Sequence, residues 1–427
     1  MLRRQVASLY QTMWRRHLMR SGMLTVLLLG SVLAGLTVAY RAHMQGNFHK
    51  LKAKMATERP ESQVPRPGGQ DAISLARLRT MSDATPEFLS ATLLPGRGMN
   101  VLQITAYVPG KGEVNLLASP SIEGAASAMT GIGADADGQA SLGMGAAFEA
   151  PWAGKIWGAR SPDEDHLNAA WRGHGLVLPD DVRSEGATVA QSGLMLKLPS
   201  ASATSSAVLG GGQAQAVFDA SDFGAHWPSN THITVTVLLS SKTLDLTVVA
   251  QNNGDVAEPI GIGWRPRFVI AGGSRAQVRL RVPGEMRVNV SDHRTDMPSG
   301  SLVKVAGTPY DFSMPGGARL GTLNLDDCFV ALRQDLLDSG PVAELSESGA
   351  NYGIRMTALT PTIKAMHVVA PKDGDFVTID PQFNYPDPFG REWGKEDTGM
   401  VVLQPGQSTQ WKIRLELFTP VGDVSGL

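Results

Sequence analysis

The chain has 427 residues, a formal net charge of −2 and one cysteine, Cys328. This length is enough for one large or two ordinary domains with a buried core, and the balanced charge argues against a nucleic-acid-binding protein. One cysteine excludes an intrachain disulfide and a thiolate metal cluster. The 47 glycines and 26 prolines, together with few sustained helical periods, favour a β-rich chain with many turns.

The N-terminal region is predicted to be a membrane segment. Residues 23–40, MLTVLLLGSVLAGLTVAY, carry no charge and are long enough to cross a bilayer as one helix. Residues 1–22 are basic and contain no acid, which predicts that they stay in the cytoplasm. A single-pass signal anchor is favoured over a signal peptide cleaved near Thr37 to Ala39, and over a buried helix of a soluble fold. Both membrane interpretations place the remaining chain outside the cytoplasm, on the periplasmic or extracytoplasmic side of the inner (plasma) membrane.

The rest of the chain divides into a linker and one large domain. Residues 41–85 are predicted to be a linker, because proline, glycine and charge occur there without periodicity. Residues 86–427 contain short alternating stretches, such as THITVTVLLS and LDLTVVAQN, which indicate β-hairpins. We therefore predict an all-β fold, one large antiparallel β-sandwich after one N-terminal transmembrane helix. The clearest helical candidate in the domain is DDCFVALRQDLL, residues 326–337.

Several motifs of this domain occur in an order that is typical of one family. In chain order they are APWAGKIWGA, WRGHGLVLP, EPIGIGWRPRF, GTPYDF with LDDCF, and VTIDPQFNYPDPF with VVLQPGQS. Together they resemble the aldose 1-epimerase (galactose mutarotase-like) superfamily over nearly all of residues 86–427. The resemblance implies a large β-sandwich with a saccharide cleft and a reaction that opens a sugar hemiacetal and recloses it on the other face.

That reaction needs a carboxylate base and a histidine acid, and both positions are altered here. The resemblance places the base, usually glutamate, on Asp380, which is one methylene shorter. It places the acid on Arg265 of GWRPRF. Arginine is a poor general acid because its pKa lies above 12, so His174 or a water would have to supply the proton.

The sugar-binding positions are altered as well. The family's arginine falls on Lys155, which keeps the charge but loses the planar fork. Its hydroxyl-binding aspartate falls on Asp326 with Asp327 beside it, although both could instead cap a following helix. The remaining substrate-binding candidates are Arg172, as an alternative alignment of the His174 loop, Arg267 at a tyrosine position, and Trp264 as a stacking surface. The histidines 226, 232, 293 and 367 have no metal-ligand spacing and are interpreted as structural, so we expect neither a metal nor another cofactor.

Three functions stay open from the sequence. The first is an exported, membrane-tethered epimerase of a free or terminal sugar. The second is a saccharide-binding module that has lost catalysis and acts in the handling of envelope or extracellular polysaccharide, where Arg265 and Arg267 would favour an acidic sugar. The third is a structural partner in a membrane assembly, with protein partners that the sequence does not identify. The resemblance favours the first function, and the altered acid and base favour the second.

Overall fold

The computed structural model describes residues 32–33, 36–37, 40–41, 64–160, 166–179, 182–184, 187–270, 272–292, 296–350 and 352–420. The cytoplasmic segment predicted over residues 1–22 lies outside these residues. So do most of the membrane span predicted over residues 23–40 and residues 42–63 of the predicted linker. Within them, no helix is both long and apolar enough to cross a bilayer. The strands lie in one compact unit, Pro65–Leu427.

Strands dominate this unit, with short connections between them. The first half of the unit also holds an α-helix, α1 (Ile122–Ala128). It begins after Ser121, whose hydroxyl accepts a hydrogen bond from the Gly124 amide. The strands of this half are β1 (Ile73–Ala76), β2 (Glu87–Leu94), β3 (Asn100–Val108), β4 (Gly112–Asn115), β5 (Ala146–Glu149), β6 (Lys155–Arg160), β7 (His166–Trp171), β8 (His174–Pro179), β9 (Val182–Ser184), β10 (Ala187–Gln191), β11 (Ser202–Val208), β12 (Gly211–Ser221), β13 (Thr231–Leu239) and β14 (Thr243–Asn252).

The second half of the unit continues the pattern to the C-terminal end of the described chain. Its strands are β15 (Glu258–Ile260), β16 (Gly263–Pro266), β17 (Phe268–Val269), β18 (Val278–Arg281), β19 (Gly284–Asp292), β20 (Met297–Lys304), β21 (Ala318–Arg319), β22 (Leu325–Leu332), β23 (Val342–Glu347), β24 (Tyr352–Ala358), β25 (Ala365–Ala370), β26 (Phe376–Gln382), β27 (Val401–Leu403) and β28 (Ser408–Phe418). Short 3₁₀ helices occupy Pro67–Gly69, Pro95–Arg97, Gly133–Asp135, Gln139–Gly143, Arg275–Gln277, Ser348–Ala350 and Arg391–Trp393.

The strands pair into antiparallel sheets, as the sequence predicts. A nine-stranded sheet has the order β11-β12-β13-β14-β28-β24-β23-β18-β21. A six-stranded sheet, here called the site sheet, has the order β17-β26-β25-β22-β19-β20. A second six-stranded sheet runs β1-β2-β3-β5-β16 with β4 on β3, a five-stranded sheet runs β8-β7-β6-β10-β9, and β15 pairs with β27.

The alternating sequence of β13 explains why the nine-stranded sheet buries one face. Its Ile233, Val235, Val237 and Leu239 are buried while the residues between them are partly exposed. The predicted hairpin of β13 and β14 is confirmed, with Leu239 opposite Leu244. These apolar side chains belong to one continuous core with residues of the site sheet and the β1–β5 sheet. The hydrophobic effect on this shared core holds the sheets together.

Two sequence expectations differ from the structure. The helix expected over residues 326–337 is absent from these described residues, and strand β22 (Leu325–Leu332) occupies the first part of them instead. A short apolar run that is buried on both faces does not distinguish a strand from a buried helix, and β22 lies between β19 and β25. The predicted linker also ends earlier than residue 85, because β1 (Ile73–Ala76) pairs with β2. A strand of four residues at a sheet edge gives too short an alternation to stand out from a proline-rich segment.

Candidate functional site

The register of the site sheet places polar side chains in one row. Cys328 on β22 lies opposite His367 on β25, and His367 lies opposite Asp380 on β26. Directly opposed residues in an antiparallel sheet project to the same face, and so do residues two apart on one strand. Asp326 therefore shares this face with Cys328, His367 and Asp380.

A cleft opens over this face, and an ion-pair network centred on Asp326 lies in it. Lys155 Nζ is 3.3 Å from Asp326 Oδ2 and 3.1 Å from Asp296 Oδ2. His367 Nε2 lies 2.6 Å from Asp326 Oδ1. The side chains around the cleft are Lys155, Trp157, Val288, Val290, Asp296, Asp326, Cys328, His367 and Pro386.

The network fixes the charge of Asp326. Burial acts to raise the pKa of this carboxyl, but His367, Lys155 and Arg265 together hold that pKa well below its usual range. Asp326 is therefore an anionic hydrogen-bond acceptor at neutral pH. Lys155 is a cationic donor and the His367 imidazole is oriented by Asp326, so the cleft presents both donors and acceptors to a polar ligand.

A second carboxyl pair lies deeper, at the position predicted for the base. Asp380 and Glu149 are both fully buried. Both approach the backbone of Gly263, where an added Cβ would lie 2.8 Å from Glu149 Oε2 and 3.0 Å from Asp380 Oδ1. Only glycine leaves room for this approach, which explains the small residue before Trp264 in GIGWRPRF.

The surroundings of Asp380 disfavour its ionised form. Its Oδ1 accepts a hydrogen bond of 3.1 Å from the Trp264 amide, and its Oδ2 is 4.0 Å from Arg265 Nη1. Burial raises the pKa of Asp380 well above its ordinary value, and the neighbouring Glu149 raises it further, against the opposing effect of Arg265. Burial and Glu149 therefore favour the protonated form of Asp380 relative to an exposed aspartate, which lowers the fraction of this carboxyl that is available as an ionised base.

The structure brings four of the predicted site residues together. Lys155 contacts Asp326, and Arg265 contacts Asp380. Asp326 and Asp380 share one face of the site sheet, and the charge of Arg265 acts on both carboxyls. Lys155 and Asp326 line the cleft, whereas Arg265 and Asp380 do not. Arg267 follows Arg265 at the end of β16 and lies against Phe376, at the edge of the site sheet.

Two predicted residues lie on a hairpin instead of in the cleft. His174 and Arg172 are exposed at the turn between β7 and β8. The His174 ring stacks on Trp171 with 6.0 Å between centroids, and the Arg172 guanidinium lies 5.1 Å from the Trp171 ring. Neither lines the cleft, so the structure gives no catalytic position to His174.

Asp327 and Trp264 also differ from their predicted positions. Asp327 projects to the opposite face of β22 from Asp326, where its Oδ1 accepts a 2.8 Å hydrogen bond from Arg287. Adjacent residues of a strand project to opposite faces, so Asp326 and Asp327 cannot both face the cleft. The predicted helix did not require this difference. Trp264 is fully buried and packs between Phe148 and Phe268, so its ring belongs to the core.

Sequence reasoning missed three residues that the site uses. His367 was interpreted as structural, yet it contacts Asp326 in the cleft. Asp296 lies in the turn between β19 and β20 and pairs with Lys155. Glu149 ends the apolar strand AAFE, and a charged residue in a strand that is otherwise buried is a signal that could have found it.

Comparisons with known proteins agree with this architecture. The profile of the aldose 1-epimerase family matches residues 211–416, which include Arg265, Asp326, His367 and Asp380. A search of curated proteins finds no match to this sequence.

Solved structures show the same fold. A galactose mutarotase-like protein from Clostridium acetobutylicum has a TM-score of 0.63 at 14% identity, covering 80% of this chain and 95% of that protein. The GalM/aldose epimerase homologue from C. elegans has a TM-score of 0.57 at 16% identity, covering 78% and 96%. Galactose 1-epimerase from Lactobacillus acidophilus has a TM-score of 0.55 at 14% identity, covering 82% and 99%.

These features define a galactose mutarotase-like β protein with a polar cleft on one sheet. The similarity to the aldose 1-epimerase superfamily predicted from the sequence motifs is confirmed by the family match and by these structures.

Proposed function

We propose that this protein binds a saccharide in the cleft around Asp326 and does not interconvert the anomers of ordinary neutral aldoses at enzymatic rates. The observation that carries this proposal is the burial of Asp380, the residue at the position predicted for the base. Asp380 is fully buried against Glu149 with a raised pKa, while an arginine stands at the acid position.

The cleft has the chemistry that saccharide hydroxyls require. Asp326 accepts hydrogen bonds and Lys155 donates them. His367 contacts Asp326 and also lines the cleft. Trp157, Val288 and Pro386 supply apolar surface beside these groups. A concave site with a few convergent polar groups and apolar walls is the usual form of a small-molecule site.

Asp380 and Arg265 are poorly suited to the two proton transfers of anomer interconversion, at the anomeric hydroxyl and at the ring oxygen. Opening the hemiacetal requires a base that accepts the anomeric hydroxyl proton, and the raised pKa of Asp380 leaves less of this carboxyl in the ionised form that accepts it. The ring oxygen must then receive a proton, which a guanidinium with a pKa above 12 does not release near pH 7.

Anomer interconversion with His367 as the acid is the second candidate function. It is favoured by the 2.6 Å contact between His367 Nε2 and Asp326 Oδ1, since a carboxylate orients an imidazole in many acid–base sites. It still depends on Asp380, whose raised pKa disfavours the ionised form, so we place it second.

Saccharide binding is testable by saturation-transfer NMR on the full chain with glucose and galactose. We expect transfer from protein to the pyranose protons, because the cleft groups contact a ring sugar. Mannitol, which has similar hydroxyls and no ring, is the matched control and should receive much less. Absence of transfer to every monosaccharide and oligosaccharide probe would refute a saccharide site.

We also propose that residues 23–40 anchor the protein in the inner membrane with the β domain outside the cytoplasm. The support is the uncharged stretch of these residues and the basic segment before it. A reporter that works only outside the cytoplasm, fused after Leu427, should be active. Activity of a cytoplasm-only reporter at the same position would contradict the proposal, and a mature N-terminus near Tyr40 would replace the anchor by a cleaved signal peptide.

A further inference from the structure

The cleft continues along the site sheet toward a second pair of charges. On β26, Asp380, Thr378 and Phe376 alternate to the same face. Four residues of strand separate Asp380 from Phe376, a rise of about 13 Å, or more than the width of one sugar ring. Val369 on β25 lies opposite both Asp326 and Thr378 and is partly exposed, whereas Thr378 is buried, so on this face Val369 presents accessible surface between the cleft and Phe376.

Arg267 stands at the far end of this path. Its guanidinium lies 3.6 Å above the Phe376 ring, a stacked arrangement that orders the side chain and leaves its N–H edge free for hydrogen bonds. Arg265 lies two residues earlier and faces the near part of the same path through its contact with Asp380.

The Arg267 guanidinium has no close ion pair within the described chain. No carboxylate there lies within 4 Å of it, and its Nε is buried without a hydrogen-bond acceptor. Burial lowers the pKa of this guanidinium and the charge of Arg265 lowers it further, against the opposing effect of Asp375. Buried charges are ordinarily paired, because an unpaired one loses its hydration without compensation.

We propose that Arg267, with Arg265 beside it, is an anion subsite, and that the saccharide bound by this protein carries an oxyanion group. This inference rests on the proposed saccharide site and names the class of its ligand. A carboxylate or a phosphate accepts two parallel hydrogen bonds from one guanidinium, which a neutral hydroxyl does not. The span between the cleft and Arg267 suits an anionic group on the bound sugar or on the next unit of an oligosaccharide.

The test is a titration of the full chain at low salt with three monosaccharides, namely glucose, glucuronate and glucose 6-phosphate, followed by an acidic disaccharide. We expect an anionic ligand to bind about ten- to a hundred-fold more tightly than glucose, as one or two charge-assisted hydrogen bonds predict. The preferred probe distinguishes a carboxylate site from a phosphate site. The advantage should shrink as ionic strength rises.

Variants locate the effect. Arg267→Gln should remove most of the anionic advantage and change glucose binding by less than about two-fold, since glucose makes no charge-assisted bond there. Arg267→Lys should restore part of it, because lysine keeps the charge without the fork. Arg66→Gln, which removes the same charge from an exposed pair with Asp71, is the matched control and should change neither.

The outcomes separate this inference from the proposed function. Equal binding of glucose and all anionic probes would overturn the anion subsite while leaving the saccharide site intact. An anionic advantage that Arg267→Gln leaves unchanged would also overturn it. Binding of none of the sugars would refute the saccharide site itself.

Discussion

Replacing Arg265 by histidine, Asp380 by glutamate and Glu149 by glutamine should convert the protein into a measurable mutarotase. Histidine restores a side chain that can release a proton near neutral pH, and glutamate lengthens the carboxyl side chain by one methylene. Glutamine removes the neighbour that raises the pKa of the residue at 380. A well-placed general acid contributes about a hundred- to ten-thousand-fold, so we expect anomer interconversion of glucose or galactose to rise by about that factor. Polarimetry of a freshly dissolved anomer measures the rate.

Controls separate acid chemistry from loss of charge. Arg265→Gln with Asp380→Glu and Glu149→Gln removes the same positive charge without supplying an acid and should stay at the wild-type rate. Circular dichroism and thermal unfolding establish whether each variant folds, since Asp380 is fully buried. The variant that keeps Glu149 retains the neighbour that raises the pKa of the residue at 380, and should be slower than the triple variant. Folded variants that all match the wild-type rate would contradict the assignment of Arg265 and Asp380 to the acid and base positions.

Asparagine at position 326 should weaken saccharide binding by about ten- to a hundred-fold. Asp326 is the acceptor that holds both Lys155 and His367, and an amide supplies one neutral oxygen where the carboxylate supplied two charged ones. Loss of a charge-assisted hydrogen bond costs about 1.5–3 kcal/mol, which corresponds to that change in Kd. Saturation-transfer or calorimetric titration with the best sugar ligand measures it.

The neighbouring residue is the matched control. Asp327→Asn makes the same chemical change one position along β22, on the opposite face. It replaces the charged acceptor in the 2.8 Å contact with Arg287 by a neutral amide oxygen, so it should lower the free energy of unfolding by about 1–3 kcal/mol and leave the Kd for sugar unchanged. Equal loss of binding in both variants would show that Asp326 acts through stability, and would remove it from the site.

The sequence predicts much of the fold, because alternating strands carry a strong signal. Stretches such as β13 and β14 alternate cleanly between apolar and polar residues, so their hairpin and its buried face follow from the pattern. β22 does not alternate, since both of its faces are buried along most of its length. Its apolar run fits a helix equally well, which explains why a helix was predicted there.

The site is less predictable, because it depends on register and side-chain direction. The motifs locate Lys155, Arg265, Asp326 and Asp380 through family order, and the structure brings these four together. Whether Asp326 or Asp327 faces the cleft depends on the pleat of β22, which no single motif specifies. His367 becomes a site residue only because β25 lies between β22 and β26, and this strand order is a long-range feature.

Two-dimensional exchange NMR on the wild-type full chain with glucose tests the central claim most directly, because one sample reports both binding and anomer exchange. We predict saturation transfer from the protein to glucose together with cross-peaks between the α and β anomers that grow no faster than in buffer. Anomer exchange with a kcat of about 10 s⁻¹ or more, the rate of an ordinary enzyme, would contradict the claim, and would mean that another group, with His367 the first candidate, transfers the proton.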